Sequence, residues 1–492
     1  MSRNPNSAER QPSYPVVVTL AAGAIFLSIL DTTVANLAVT DLHSSFPGSS
    51  VTDLTWVISL YAIVFAAFLA PAGRLADVLG RRRLYIAGMG LFTFASMLCA
   101  VAPALPALLV ARGLQALGAA AMIPASLAVL LADVDPRRRG AAIGLWSAAA
   151  SAAAAAGPSL GGILIDAAGW RSVFLVNVPL GLALLAGIRA VRAPAHPEQG
   201  LPDPLGTLLL TAGTGLLVLG VTQGREWHWD DPRTLGSLIA GLVLSAWALL
   251  RARRHPRPAL QTRLWRSRPF ALANLVSLFF GAALYAWLLI GALFLVDVWH
   301  YPWISAGLSM TPGALLSAAV AAMVGRSLSR SRPHLVVFCG ALTLVAAGLW
   351  LGLTLSSQPA LWSMWIPVGL LAGAGIGAVS TGVSSVAALS VEPADFAGAT
   401  GLNLAVRQIG GALGIAALAA ILPVATSSDP APYRHVVFFT CATAAVAGLL
   451  GLGFARRRGH PAPHTTVRTT APTPAAGTAG TVGTVGGKEA RP

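Results

Sequence analysis

Charged side chains are what this chain has least of: they make up 10% of its 492 residues, where a soluble domain carries roughly a quarter. Water is therefore not the main solvent. Cysteine is nearly absent as well. Cys99, Cys339 and Cys441 each sit in an apolar window, so neither a disulfide framework nor a thiolate metal cluster is expected. None of the nine histidines lies in the interior of such a window, which removes a histidine proton relay and a membrane metal site from the expectations. No phosphate-binding loop of the Walker type occurs, so ATP is not the expected energy source. The acidic pair Asp230 and Asp231, beside Trp227 and Trp229, reads as a solvated loop at an interfacial aromatic belt rather than a metal-dependent transferase motif.

What the chain has is apolar sequence, 55% of it, gathered into fourteen windows of about 18 to 28 residues. A bilayer core needs roughly 20 helical residues. The windows run near 16–40, 53–72, 84–101, 106–131, 140–165, 171–189, 205–222, 233–250, 270–296, 303–325, 334–355, 361–389, 397–424 and 435–455. Their many glycines and prolines are tolerable in membrane helices, whose neighbours re-satisfy the backbone. The polar start leads into a full-length window with no short signal-peptide core, so the first span is expected to stay as an anchor.

The net charge of +15 follows the same plan. With an inner N-terminus and fourteen crossings, four arginines fall outside (Arg171, Arg225, Arg233, Arg434) and two within spans (Arg112, Arg407), leaving twenty-seven of the 33 basic residues inside. That is the positive-inside bias of an inner membrane, not a nucleic-acid footprint. The expected organisation is a cytoplasmic tail (1–15), a six-helix bundle (16–190), a linker with two extra spans (191–269), a second six-helix bundle (270–455) and a disordered cytoplasmic tail (456–492), with both termini inside.

A faint repeat supports the two bundles. Asp133, Val134, Asp135, Pro136 leads into Gly140 to Leu145, and Glu392, Pro393, Ala394, Asp395 leads into Gly398 to Leu402. Likewise Gly73 to Arg83 has a degraded echo in Gly325 to Arg332. Parallel repeats of this kind hold their substrate between them near mid-bilayer.

Seventeen of the eighteen acids fall in loops, tails or span ends; Asp31 is the exception. An ionised side chain there costs at least about 2.5–3.5 kcal/mol. Such a carboxyl can load and release a proton, or else pin two helices. Helix direction places Arg112 at a similar depth in the outer half, about 9 Å from its helix end against about 14 Å for Asp31. Arg407, a second buried cation, can attract an anionic or polar substrate group or clamp helices.

Motifs narrow the reading. Gly73, Arg74, Leu75, Ala76, Asp77, Val78, Leu79, Gly80, Arg81, Arg82, Arg83 resembles the signature between helices two and three of the major facilitator superfamily. The resemblance implies an inner-face latch built from Gly73, Asp77, Gly80 and Arg81. Leu30, Asp31, Thr32, Thr33, Val34, Ala35, Asn36 resembles the first-helix motif of the fourteen-helix drug:proton antiporters, and Arg112, Gln115, Gly118 their fourth-helix motif, with Ala116 where glycine is usual. Gly144, Gly157, Pro158, Gly161, Gly162 is similar to the fifth-helix motif of exporters, with Ala153 in place of one glycine. That composition fits a hinge, or ordinary close packing. Trp170, Arg171, Phe174, Asn177, Pro179, Gly181 and Arg407, Gln408, Gly410, Gly411, Gly414 resemble the same family.

The expected protein is thus all-α and polytopic, with a major-facilitator fold of two six-helix bundles plus two additional spans. The resemblance implies a non-enzymatic bacterial drug:proton antiporter that acts as a monomer, needs no cofactor beyond the proton gradient, and uses Asp31 with Arg112 for coupling. Asn36, Gln115, Arg407 and Gln408 are the expected cavity residues for an amphipathic compound, cationic ones included. An uptake symporter and a non-transporting sensor or scaffold are the rival readings.

Overall fold

A computed structural model describes residues 14–191, 200–224, 226–327, 332–422 and 429–455. The tails 1–13 and 456–492, Arg225, much of the Pro-rich stretch after the sixth span, and 328–331 in the echo of the Gly73 motif lie outside the described residues. Those described form helices and their connections, without a strand among them.

Among the described residues, thirteen helices are long and apolar enough to cross a bilayer. The first five spans are α1 (Tyr14–Ser45), α2 (Val51–Leu79), α3 (Arg81–Ala100), α4 (Leu105–Asp133) and α5 (Arg139–Ala168). The sixth is the shorter apolar stretch Arg171–Gly187, broken into α6 (Arg171–Leu175) and α7 (Asn177–Gly187). Pro179 accounts for the break, since it has no N–H to give the Leu175 carbonyl four residues back. Two further helices follow, α8 (Pro204–Gln223) and α9 (Pro232–Ala252). The chain closes with α10 (Arg268–Asp297), α11 (Trp303–Ser327), α12 (Pro333–Thr354), α13 (Ile366–Leu389), α14 (Phe396–Ile421) and α15 (Ala431–Leu452).

One expected boundary is corrected. The Gly73 to Arg83 stretch is not a loop: α2 runs through Leu79 and α3 begins at Arg81. Gly80 alone turns the chain, at φ 105°, a conformation that L side chains avoid. At its other end α2 is fixed by a reciprocal cap, in which Ser50 Oγ accepts the Asp53 N–H at 3.1 Å and the Asp53 carboxylate accepts the Ser50 N–H at 2.9 Å. Asp231 is likewise a helix cap, accepting the Arg233 N–H at 2.7 Å to start α9.

Burial separates the elements. The most apolar window of α4 is 83% buried, that of α9 only 22%, with Leu242, Val243, Trp247 and Leu250 exposed on α9. That exposed apolar face makes α9 peripheral, and its other side packs on α8, where Gly213 and Gly220 meet Ser245 and Ser237. Val218 of α8 packs on Ile63 and Ala66 of α2.

The repeat visible in the sequence is a contact pattern in the fold. On α2, a Cβ at Gly73 would come within 3.2 Å of Gly398 Cα, and Gly401 packs on the same stretch of α2. On α11, a Cβ at Gly325 would sit 2.5 Å from Gly144 Cα, against α5. Each motif glycine thus packs on the fifth helix of the opposite half. Beyond Gly325 the antiparallel α5 and α11 stay together: Ser151 and Ser317 hydroxyls are 3.0 Å apart, Thr311 Oγ1 donates to the Ala155 carbonyl at 3.4 Å, and Gly307 packs on Pro158.

Candidate functional site

Asp31 and Arg112 meet, with their side chains 0% and 1% exposed. Arg112 Nη1 donates to Asp31 Oδ2 at 2.7 Å. Two amides complete the shell: Gln115 Nε2 and Asn177 Nδ2 each donate to Asp31 Oδ1 at 2.8 Å. Three donors thus converge on one carboxyl. Arg112 is satisfied in turn, through Nη1 to Gln115 Oε1 at 2.6 Å and Nε to the Val57 carbonyl at 3.0 Å. Its guanidinium also lies 4.4 Å from the Tyr61 ring centre and 5.5 Å from that of Phe174. Helices α1, α2, α3, α4, α6 and α7 all contribute, α3 through Ser96, which accepts from Gln115 at 2.8 Å.

Asn177, Tyr61, Val57 and Ser96 were not among the expected site residues. Asn177 was legible only as part of a motif. The break at Val176 makes it the first residue of α7, and its Oδ1 is buried without a partner. The carboxylate offers about four acceptor positions to three donors, and this amide, turned over, would present Asp31 with an acceptor in place of one of them.

A second cluster closes the end of the molecule where α2, α3 and α14 meet. Asp77 accepts Arg81 Nη2 at 3.1 Å and Nε at 3.3 Å, and also the N–H groups of Ala397 at 3.2 Å and Gly398 at 2.7 Å. Asp77 thus meets the amino end of α14 and an arginine together. Arg81 further donates to the Pro393 carbonyl and lies 5.6 Å from the Phe396 ring centre. Beside it, Arg263 and Gln261 from the connection before α10 bind Asp395 at 2.7 and 2.8 Å, a clamp that sequence reading missed.

The fifth-helix motif lies between the halves. Gly157 and Gly161 pack on α1 at Thr33 and Val34, while Pro158 and Gly162 face Gly307 and Ile304 of α11. The four residues expected to line a cavity do not form one wall. Asn36 is exposed on α1, and Gln115 is enclosed in the Asp31 cluster. Arg407 faces α13 through Ser380 and Ser384, whereas Gln408 accepts the Tyr285 hydroxyl of α10. Adjacent helical residues point in different directions, so the Arg407 guanidinium turns to the α13 hydroxyls, with the Phe280 ring of α10 5.9 Å away, while Gln408 turns to Tyr285 further along α10.

These features define a class: a polytopic helical membrane protein of two six-helix repeats, with two inserted helices and a shielded ion pair in the first repeat. The chain belongs to the Major Facilitator Superfamily, a family of transporters, whose model matches residues 21–415. It is similar to the multidrug resistance protein Stp of Mycobacterium tuberculosis, 34% identical over 425 residues, 85% of this chain and 78% of that protein. It is also similar to the tetracenomycin C resistance and export protein of Streptomyces glaucescens, 32% identical over 430 residues, 86% of this chain and 78% of that one. Among solved structures, human MFSD10 aligns with a TM-score of 0.61 over 90% of this chain and 99% of that one. At 16% identity that likeness carries the fold alone.

Proposed function

We propose that the protein is a proton-coupled exporter of small amphipathic compounds, antibiotics among them, working by alternating access as a single chain in a bacterial inner membrane with both termini in the cytoplasm. The observation that carries this reading is the enclosure of the single mid-span carboxyl, Asp31, by Arg112, Gln115 and Asn177. Proton uptake there weakens its pairing with Arg112 and loosens the junction of α1, α4 and α7, while release restores it. The proton gradient supplies the energy, and no cofactor is needed. Export as the direction of transport is supported by the relatives, one named for multidrug resistance and one for resistance and export.

In the same reading, Asp77 and Arg81 with Gly73 and Gly80 latch the cytoplasmic end through α14. The glycines and Pro158 of α5 form the seam along which the halves part. Expression in a bacterial host stripped of its own efflux pumps tests the export reading. Resistance to a panel of amphipathic antibiotics is expected with the intact protein, and is expected to disappear with Asp31→Asn or a protonophore. Equal resistance in both cells would remove proton coupling through Asp31.

A further inference from the structure

The second span-interior cation is held quite differently from the first. Arg112 has a carboxylate, an amide oxygen and a carbonyl as acceptors. Arg407, on α14 and 8% exposed, has none of these. Its Nη2 reaches Ser384 Oγ at 2.9 Å and its Nη1 reaches Ser380 Oγ at 3.4 Å, while its Nε is buried without an acceptor. No carboxylate among the described residues pairs with it. The Phe280 ring centre, 5.9 Å away, completes its surroundings.

A cation in hydrocarbon is retained only where something compensates it. Two neutral hydroxyls do so incompletely. A hydroxyl that accepts from a guanidinium turns its own hydrogen away, so Ser380 and Ser384 extend the donor set instead of closing it. Ser384 is also a wall of a small void of about 10 Å³ where α4, α5, α13 and α14 join, with Trp146, Thr400 and Asn403 as other walls. Hydroxyls on two of these helices, Ser147 on α5 with Thr381 and Ser385 on α13, are buried without partners. The junction is therefore rich in donors, carries one uncompensated positive charge, and offers an aromatic face.

We infer that Arg407 with Ser384 is the anion-binding point of the cargo site, and that the cargo is an aromatic or amphipathic compound bearing an ionised acid, a carboxylate or a phenolate. The inference deepens the export reading and rests on it for what the site carries. A guanidinium binds a carboxylate with two parallel hydrogen bonds, a match that a cationic cargo cannot make. Drug-sized ligands occupy roughly 300–1,000 Å³, far more than this closed junction offers, so the acid group enters, and the rest of the cargo lies along the α5 and α11 seam, only as the halves part.

Isothermal titration of the full chain in detergent, with no gradient, tests this separately from transport. The probes are 2-naphthoate and 2-naphthyltrimethylammonium. Saturable naphthoate binding is expected, at least tenfold weaker in Arg407→Gln, intermediate in Arg407→Lys, and severalfold weaker in Ser384→Ala, with the ammonium probe binding less tightly than naphthoate. Absence of saturable naphthoate binding to the parent protein overturns the inference, as does equal affinity in Arg407→Gln or tighter binding of the ammonium probe. Should Arg407→Gln not fold, Ser384→Ala decides, since unchanged naphthoate affinity there overturns it too. A protein that fails to pump can still pass this test, and a working exporter can fail it.

Discussion

Asp77 accepts the backbone N–H of Gly398 at 2.7 Å, joining the end of α2 to the start of a helix 321 residues later. The residue at the natural cap position of α14, Asp395, makes no capping bond of its own, because Arg263 and Gln261 occupy its carboxylate. One half of the protein thus supplies the N-cap for a helix of the other half. The negative charge sits at the positive end of the α14 dipole and is matched by Arg81.

Asp77→Asn should open this junction. Asparagine has one acceptor oxygen instead of two and no charge, and hydrogen bonds to a charged group are worth about 1.5–3 kcal/mol each. A cysteine placed at Thr400, in a chain otherwise free of cysteine, reports the change. Its labelling by a water-soluble maleimide in inverted vesicles is expected to quicken at least about tenfold, the equivalent of about 1.4 kcal/mol. An unchanged rate would show that Asp77 does not hold this end shut.

Sequence reading found the helices because hydropathy along one chain is a local property; the sixth span was legible as an apolar stretch, its break at Val176 only through Pro179. Helix direction gave Asp31 and Arg112 a common depth, yet depth says nothing about which way a side chain faces. That is why their contact, and the arrival of Asn177 from α7, waited for the fold. The Val57 carbonyl carries no sequence signal at all. The Gly73 to Arg83 motif was recognisable, but ending the windows at 72 and 84 missed that a single residue, Gly80, makes the turn.

Glycine substitutions along the seams should separate packing from propensity. A Cβ at Gly144 would lie 2.6 Å from Gly325 Cα, and backbone cannot step aside as a flexible side chain can. Gly144→Ala is expected to cost about 1–3 kcal/mol, the usual range for overpacking. Gly113 on α4 has nothing within 4 Å of its missing Cβ, so Gly113→Ala should leave stability unchanged or raise it by up to about 1 kcal/mol. Thermal unfolding in detergent reads both, and equal effects would show that the α5 and α11 contact is not tight.

Asp203, just before α8, gives a pH dependence. Arg251 donates to it through Nε and, at 3.0 Å, through Nη2, and those bonds hold its carboxyl below the usual carboxylate range. A depressed acid contributes stability above its unfolded value, about 4, and loses it as the pH falls further through its folded value. Asp203→Asn should therefore unfold at a lower temperature than the parent at pH 7, and the gap should narrow below about pH 4. A gap constant from pH 7 to pH 3 would show that the ion pair adds nothing.

Removing the Asp31 carboxylate alone confounds coupling with folding. Asp31→Asn leaves Arg112 enclosed with no anion beside it, and breaking a buried pair from one side costs about 3–5 kcal/mol. Removing both charges does not leave that orphan. Asp31→Asn combined with Arg112→Gln should therefore recover most of the lost thermal stability, because replacing a whole buried pair is often close to neutral. Its antibiotic resistance should nevertheless stay at the level of cells without the protein, since no group remains in the cluster to take up a proton. A double variant as stable as the parent that still exported against a gradient would move proton coupling away from Asp31, whatever the single variant did.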